Sequence, residues 1–305
     1  MKKFPLFFTG VVLLFSANAF SNGHTINKQK EISNIVQMAL LNENKKGHTL
    51  YMISEQRALT QKMAKEALLV ALGVNVSENR AYLKHSAKRY DRILKALLNG
   101  DKELRISPAK NPEIRKFIRE LQKEWIKFYA HLKAFYEKEN FGKKDLLYVV
   151  NKNEDLLRDT NRLFLMYKME DSFDNKLTES MMNALDFAGR ESMLSQKIVK
   201  EKLLILSGID VEENKNKLRG SFILFDRALR GLIDGNEKRG LSPTAVSYIK
   251  RELLKIQSIW FNIIPVIFKE DMRKEDLDKL ISLNIPLLKG SNKVLKMYED
   301  LADLY

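Results

Sequence analysis

"AGRESMLSQK", Ala188–Lys197, is the stretch on which the reading of the fold turns. A Gly-Arg pair leads into Ser192, Met193, Ser195 and Gln196 with no proline, and the same layout stands upstream as "SEQRALTQK", Ser54–Lys62. The echo extends well beyond these residues. At an offset of 135, Leu59–Gly100 lies on Leu194–Gly235 with 18 of 42 positions identical, among them Gly73 with Gly208 and Asp91-Arg92 with Asp226-Arg227. Ser107-Pro108 meets Ser242-Pro243 and Trp125 meets Trp260 at the same offset. Further on the offset falls to 131, where "NEDLLRDTN" (Asn153–Asn161) pairs with "NIPLLKGSN" (Asn284–Asn292) and Tyr167 with Tyr298. One offset held over such a distance marks an internal duplication.

Each copy reads as four helices. In the first, helix one covers roughly 30–72 and stops at Gly73, a residue suited to the left-handed turn that ends helices. Ser77 is the expected cap of helix two, with Glu78 in its first turn. Asn99-Gly100 ends that helix, Ile106–Pro112 is a loop, helix three runs to about residue 140 and helix four begins near Lys144. The second copy repeats the stops at Gly208 and Asn236, and Ser242-Pro243 opens its third helix. Apolar residues recur at helical spacing, as in Leu59, Met63 and Val70. With only 6 Pro and 13 Gly in 305 residues, the chain reads as all-α. The expected architecture is two tandem antiparallel four-helix bundles sharing a long helical spine and stacked end to end, with a break or bend at Met169–Ser180. The domains are then 20–170 and 171–305.

Residues 1–19 read as a signal peptide: Lys2 and Lys3, an apolar run from Leu6 to Phe15, and a small-x-small site ending at Ala19. The run is short of the ~20 residues that a span needs, so an exported, soluble, periplasmic protein is expected. Removing Lys2 and Lys3 lowers the net charge from +14 to +12. The cations are spread along every helix, which suits a solvated surface more than a nucleic-acid partner. No Gly-rich phosphate loop, zinc spacing or nucleophile set stands out, so no cofactor, no metal and no catalytic residue are expected. Zero Cys leaves stability to packing alone. Trp125 and Trp260 read as core anchors.

The duplicated segment resembles the Ala-Gly-x-x-Arg-Met-x-Ser-Gln-[Arg/Lys]-Met signature of the PilJ/NarX-type extracytoplasmic sensor domain. "AGRESMLSQKIVKEKLLI" follows it, "SEQRALTQKMAKEALLV" is a more diverged copy, and the Asn-x-x-Leu-Leu-x-x-x-Asn pattern of helix four is similar to the end of the same domain. The resemblance implies a periplasmic antiparallel four-helix bundle, of the kind carried by membrane-bound chemotaxis transducers and nitrate-sensing histidine kinases. It also implies an anion held at a dimer interface by the motif's arginine from two protomers. That position is Arg57 in the first copy and Ser192 in the second. Arg190 lies two residues earlier, about 200° round the helix. A guanidinium fork suits a planar oxyanion, so Arg57 is the leading candidate, with Ser54, Thr60 and Gln61 as neutral donors and Arg190, Ser195 and Gln196 as second-copy counterparts. Gln61, Ser195 and Gln196 read, rather than as ligand contacts, as buried polar groups that fix helix register. Arg57→Ala is expected to weaken anion binding and leave folding almost unchanged. The function that follows is a soluble periplasmic sensor, not an enzyme, that binds a small molecule or an oxyanion such as nitrate or nitrite. It would report to a membrane-bound chemotaxis transducer or histidine kinase. The alternative is a structural or pilus- or surface-associated interaction module without a ligand. A site built from two protomers would also make the chain a homodimer.

Overall fold

The computed structural model describes residues 46–137, 141–173 and 178–302. The signal peptide and the part of helix one before residue 46 lie outside them. Eight α-helices fill the described residues: α1 (Lys46–Ala71), α2 (Val76–Asn99), α3 (Pro112–Glu137), α4 (Lys143–Phe173), α5 (Glu179–Leu206), α6 (Val211–Asp234), α7 (Ser247–Ile267) and α8 (Lys274–Ala302). Helices α1–α4 close one antiparallel bundle and α5–α8 a second. Apart from two isolated bridging pairs at equivalent loops, Asp101 with Ile106 and Asn236 with Leu241, no strand pairing occurs among the described residues.

The repeat is visible in the backbone and in the core. Gly73 (φ 73°) and Gly208 (φ 69°) end the first helices in the left-handed conformation that glycine adopts without strain. Trp125 and Trp260 are both buried, with ring centroids 4.4 Å from Tyr90 and 4.3 Å from Phe225, residues that are themselves equivalent. Two local expectations need correction. Ser77 does not cap α2: Asn75 precedes the helix in a left-handed conformation without a side-chain cap, and the turn is tied instead by Asn79 Nδ2, which donates back to Val74 O (2.9 Å). Asn214 does the same to Ile209 O (2.9 Å) at the start of α6. Pro243 does not open α7 either. Thr244 first turns back to donate its hydroxyl to Leu232 O, and the helix begins at Ser247.

The bundles lie side by side along their first helices instead of end to end. α1 against α5 is the most extensive helix contact in the fold. The spine they share is this pair and not one continuous helix, because Thr178 is extended and caps α5 afresh through Met181 N. The two helices run parallel and in register: Gly189 faces Ser54, its own equivalent, and Lys65 reaches Gln196 (2.7 Å). Contacts across the pair come in reciprocal twos. Lys65 donates to Asn284 Oδ1 (2.9 Å) and Lys200 to Asn153 Oδ1 (2.9 Å). His48 bonds Glu299 (2.5 Å) while, at the equivalent positions, Lys168 donates to Asn183 Oδ1 (2.6 Å). In each case the first helix of one copy meets the fourth helix of the other. That exchange is the pattern of an isologous dimer interface, here closed within a single chain.

Candidate functional site

The α1–α5 junction holds most of the polar side chains that the sequence marked. Close approach of the helices depends on Gly189, where an added Cβ would stand 2.6 Å from Arg57 Nη2 and 2.7 Å from Ser54 Cβ. Arg57 is 1% exposed. Its Nη1 donates to Asp186 Oδ1 (2.7 Å) and Asn161 Oδ1 (3.1 Å), its Nη2 to Ser54 Oγ (3.1 Å), and its guanidinium sits 4.1 Å over the Phe164 ring. Arg190, half-buried, closes on the same carboxylate through Nε to Oδ1 (3.1 Å) and Nη2 to Oδ2 (3.0 Å). Two guanidinium groups, one from each copy, therefore clamp one carboxylate. Burial works against the charge of Asp186, but Arg57 and Arg190 outweigh it and hold its carboxyl down at about 2. Burial pulls the Arg57 value down, with Asp186 opposing.

Ser192, the equivalent of Arg57, donates to Asn292, the equivalent of Asn161. The asparagine is thus kept in both copies while its partner changes from a cation to a hydroxyl. Thr60 and Ser195 bond back to the carbonyls of Arg57 (2.8 Å) and Ser192 (2.7 Å). Gln61 and Gln196 donate to those same hydroxyls (3.1 Å each). All four are buried between the helices, one to two turns past the clamp. Beyond them lie two buried ammonium groups, Lys65 and Lys200, each held down at about 8, chiefly by burial. Lys200 also pairs with Glu154, whereas among the described residues Lys65 hydrogen-bonds the amide oxygens of Gln196 and Asn284. The structure therefore brings Ser54, Arg57 and Arg190 together at one end of the junction, with Thr60, Gln61, Ser195 and Gln196 in a separate layer.

Sequence reasoning missed Asp186, the two lysines and the helix-four asparagines. Asn153/Asn284 and Asn161/Asn292 were legible as the identical ends of the repeated helix-four pattern. Asp186 was not, because its equivalent is Tyr51 and the repeat gives it no counterpart. Among the described residues no group of His, Cys, Asp and Glu is placed to hold a metal, and no helix is long and apolar enough to cross a membrane.

No curated protein and no solved structure matches the chain. Two segments, residues 54–141 and 178–265, match the family described as type IV pili methyl-accepting chemotaxis transducer N-term, PilJ. The matches take in α1–α3 and α5 to most of α7, so each begins on or just before the helix that forms the junction. Together they cover more than half of the chain, which therefore belongs to the PilJ family and carries its domain twice.

Proposed function

We propose that the chain is a periplasmic sensory module that binds a small oxyanion at the α1–α5 junction and reports to a membrane-bound chemotaxis transducer or histidine kinase. The observation that carries this reading is the convergence of Arg57 and Arg190, from different copies, on one carboxylate. Asp186 occupies the place that an anion shared by two guanidinium groups would take. An oxyanion that displaced it would keep the charge balance while freeing α5 from α1. The binding event would then be felt along the contact that joins the bundles. No catalytic role enters this reading.

The near-complete burial of Arg57 favours a second reading, in which Asp186 has replaced the ligand for good and the chain is a structural or pilus- or surface-associated module. Asp186→Asn separates the two. It leaves a buried guanidinium poorly paired, a change that typically costs about 3–5 kcal/mol. In the sensory reading nitrate or nitrite restores thermal stability to this variant in a saturable way, because a ligand at 100 times its dissociation constant stabilises by about 2.7 kcal/mol. Absence of rescue by any small oxyanion, with wild type equally unresponsive, would favour the structural module.

A further inference from the structure

The two copies differ in chemistry at the wall where α5 and α6 face α4. A cavity of about 760 Å³ opens there, a volume within the ordinary range for small-molecule sites. Its floor includes Phe187, Met193 and Leu224, and its cations are Arg158, Arg190, Arg227, Lys238 and Arg239.

The equivalent wall of the first copy carries ion pairs instead. Glu55 takes Arg89 in a two-pronged bridge (2.8 Å and 2.8 Å), and Arg92 is held by Asp101 (2.8 Å) and Glu103 (2.6 Å). In the second copy Glu55 has become Arg190, Arg89 has become Leu224, Asp101 has become Asn236 and Glu103 has become Lys238. Every carboxylate of that network is gone. Arg227, the counterpart of Arg92, is left exposed, and neither it nor Lys238 nor Arg239 has a carboxylate partner among the described residues. Glu154, on the same cavity, is already taken by Lys197 and Lys200. Leu224 is shorter than Arg89, Arg190 bonds Asp186 instead of bridging to α6, and loss of Asp101 and Glu103 releases the cations. These changes act in the direction of an open, positively charged pocket with an apolar floor.

We infer that this cavity is a binding site for a small organic anion, in which a carboxylate or phosphate meets Arg227, Lys238 and Arg239 and an apolar body lies on Phe187, Met193 and Leu224. The site rests on the reading of the chain as a ligand-binding module, but not on the Arg57–Asp186 clamp. A planar inorganic anion would satisfy the cations and leave the apolar floor uncovered. A neutral apolar molecule would do the reverse.

The test is calorimetric titration of the purified chain with octanoate, octyl phosphate and octanol. Both anions should saturate a single site, and octanol should not. Asn236→Asp/Lys238→Glu rewrites the wall toward the first copy and gives Arg227 its carboxylate partners back. It should weaken octanoate binding at least about tenfold, equivalent to about 1.4 kcal/mol. Lys116→Glu/Lys250→Glu, exposed positions on α3 and α7 that remove more charge overall, should leave the affinity within about twofold, a contribution of only a few tenths of a kcal/mol. Arg227→Ser should reproduce the loss, should the double variant fold poorly. No saturable binding of either anion, equal binding of octanol, or unchanged affinity in both Arg227→Ser and Asn236→Asp/Lys238→Glu would overturn the site. None of these outcomes bears on nitrate rescue of Asp186→Asn, so the two readings fail separately.

Discussion

Arg57 is buried with its charge matched by a single carboxylate, and this alters what its removal does. From sequence, Arg57→Ala is expected to spare the fold. With 1% exposure and Asp186 as partner, it strands a buried carboxylate. Arg190 still holds Asp186, so the loss should fall near the lower end for a broken buried pair, about 3 kcal/mol. Chemical denaturation would show it as a fall in midpoint without a change in slope. Glu191 poses the opposite case. It is fully buried, both carboxylate oxygens lack a partner, and burial raises its value well above 4.5. Its equivalent, Gln56, is neutral and donates to Tyr90 O (3.1 Å). A carboxyl whose value is raised in the folded state favours folding while protonated. Its contribution is fully present below the unfolded value near 4.5 and is lost as pH rises toward the folded one. Glu191→Gln should therefore raise the melting temperature at pH 7, and the gain should shrink as pH falls toward 4.5. A gain that did not depend on pH would show that Glu191 is not neutral in the fold.

Individual helices record their surroundings in how they bury polar groups. α2 and α6 carry ordinary apolar stripes, and α3 and α7 do the same around Trp125 and Trp260. These four, with the glycine stops between them, were legible in the sequence because one face meets one core. α1 and α5 are buried on nearly every side, with Gln61, Lys65, Glu66, Ser195, Lys200 and Glu201 inside. Periodicity cannot say what such a helix faces, since its polar residues point at the other copy or at neighbouring helices of their own rather than at water. That is why the fourfold bundle was readable and the side-by-side pairing was not. The clamp was half readable for the same reason: Arg57 and Arg190 stood in the repeated segment, and Asp186 did not. Two predictions belong to this contact. Gly189→Ala drives a methyl into Arg57 and Ser54 and should cost about 1–3 kcal/mol, as overpacking of a close helix contact does. Asn284→Ala should cost more than Asn153→Ala, because Lys200 keeps Glu154 whereas Lys65 loses one of its two amide partners. A hydrogen bond to a charged group contributes about 1.5–3 kcal/mol. Equal losses, measured by equilibrium unfolding, would mean that the two ammonium groups are held alike.

At the scale of the whole molecule, the duplication places both halves of a symmetric interface on one chain. The reciprocal pairs, Lys65–Asn284 with Lys200–Asn153 and His48–Glu299 with Lys168–Asn183, satisfy each copy with the other. A duplicated chain of this kind can let its halves diverge, which two identical protomers cannot do. Arg57 against Ser192, and the ion-paired wall against the one without carboxylate partners, are the products of that freedom. All of this depends on α1 and α5 packing parallel and in register within one chain. The chain has no cysteine, so Ser54→Cys/Gly189→Cys would introduce its only two thiols. A Cβ at residue 189 would lie 2.7 Å from that of Ser54, and a disulfide needs about 3.5–4.5 Å, so a small separation of the helices suffices to form it. Mild oxidation should give an intrachain disulfide in a monomer, seen as a mobility shift that reductant reverses. Thiols that stay free, or that link two chains into a covalent dimer, would contradict the internal pairing of the two copies.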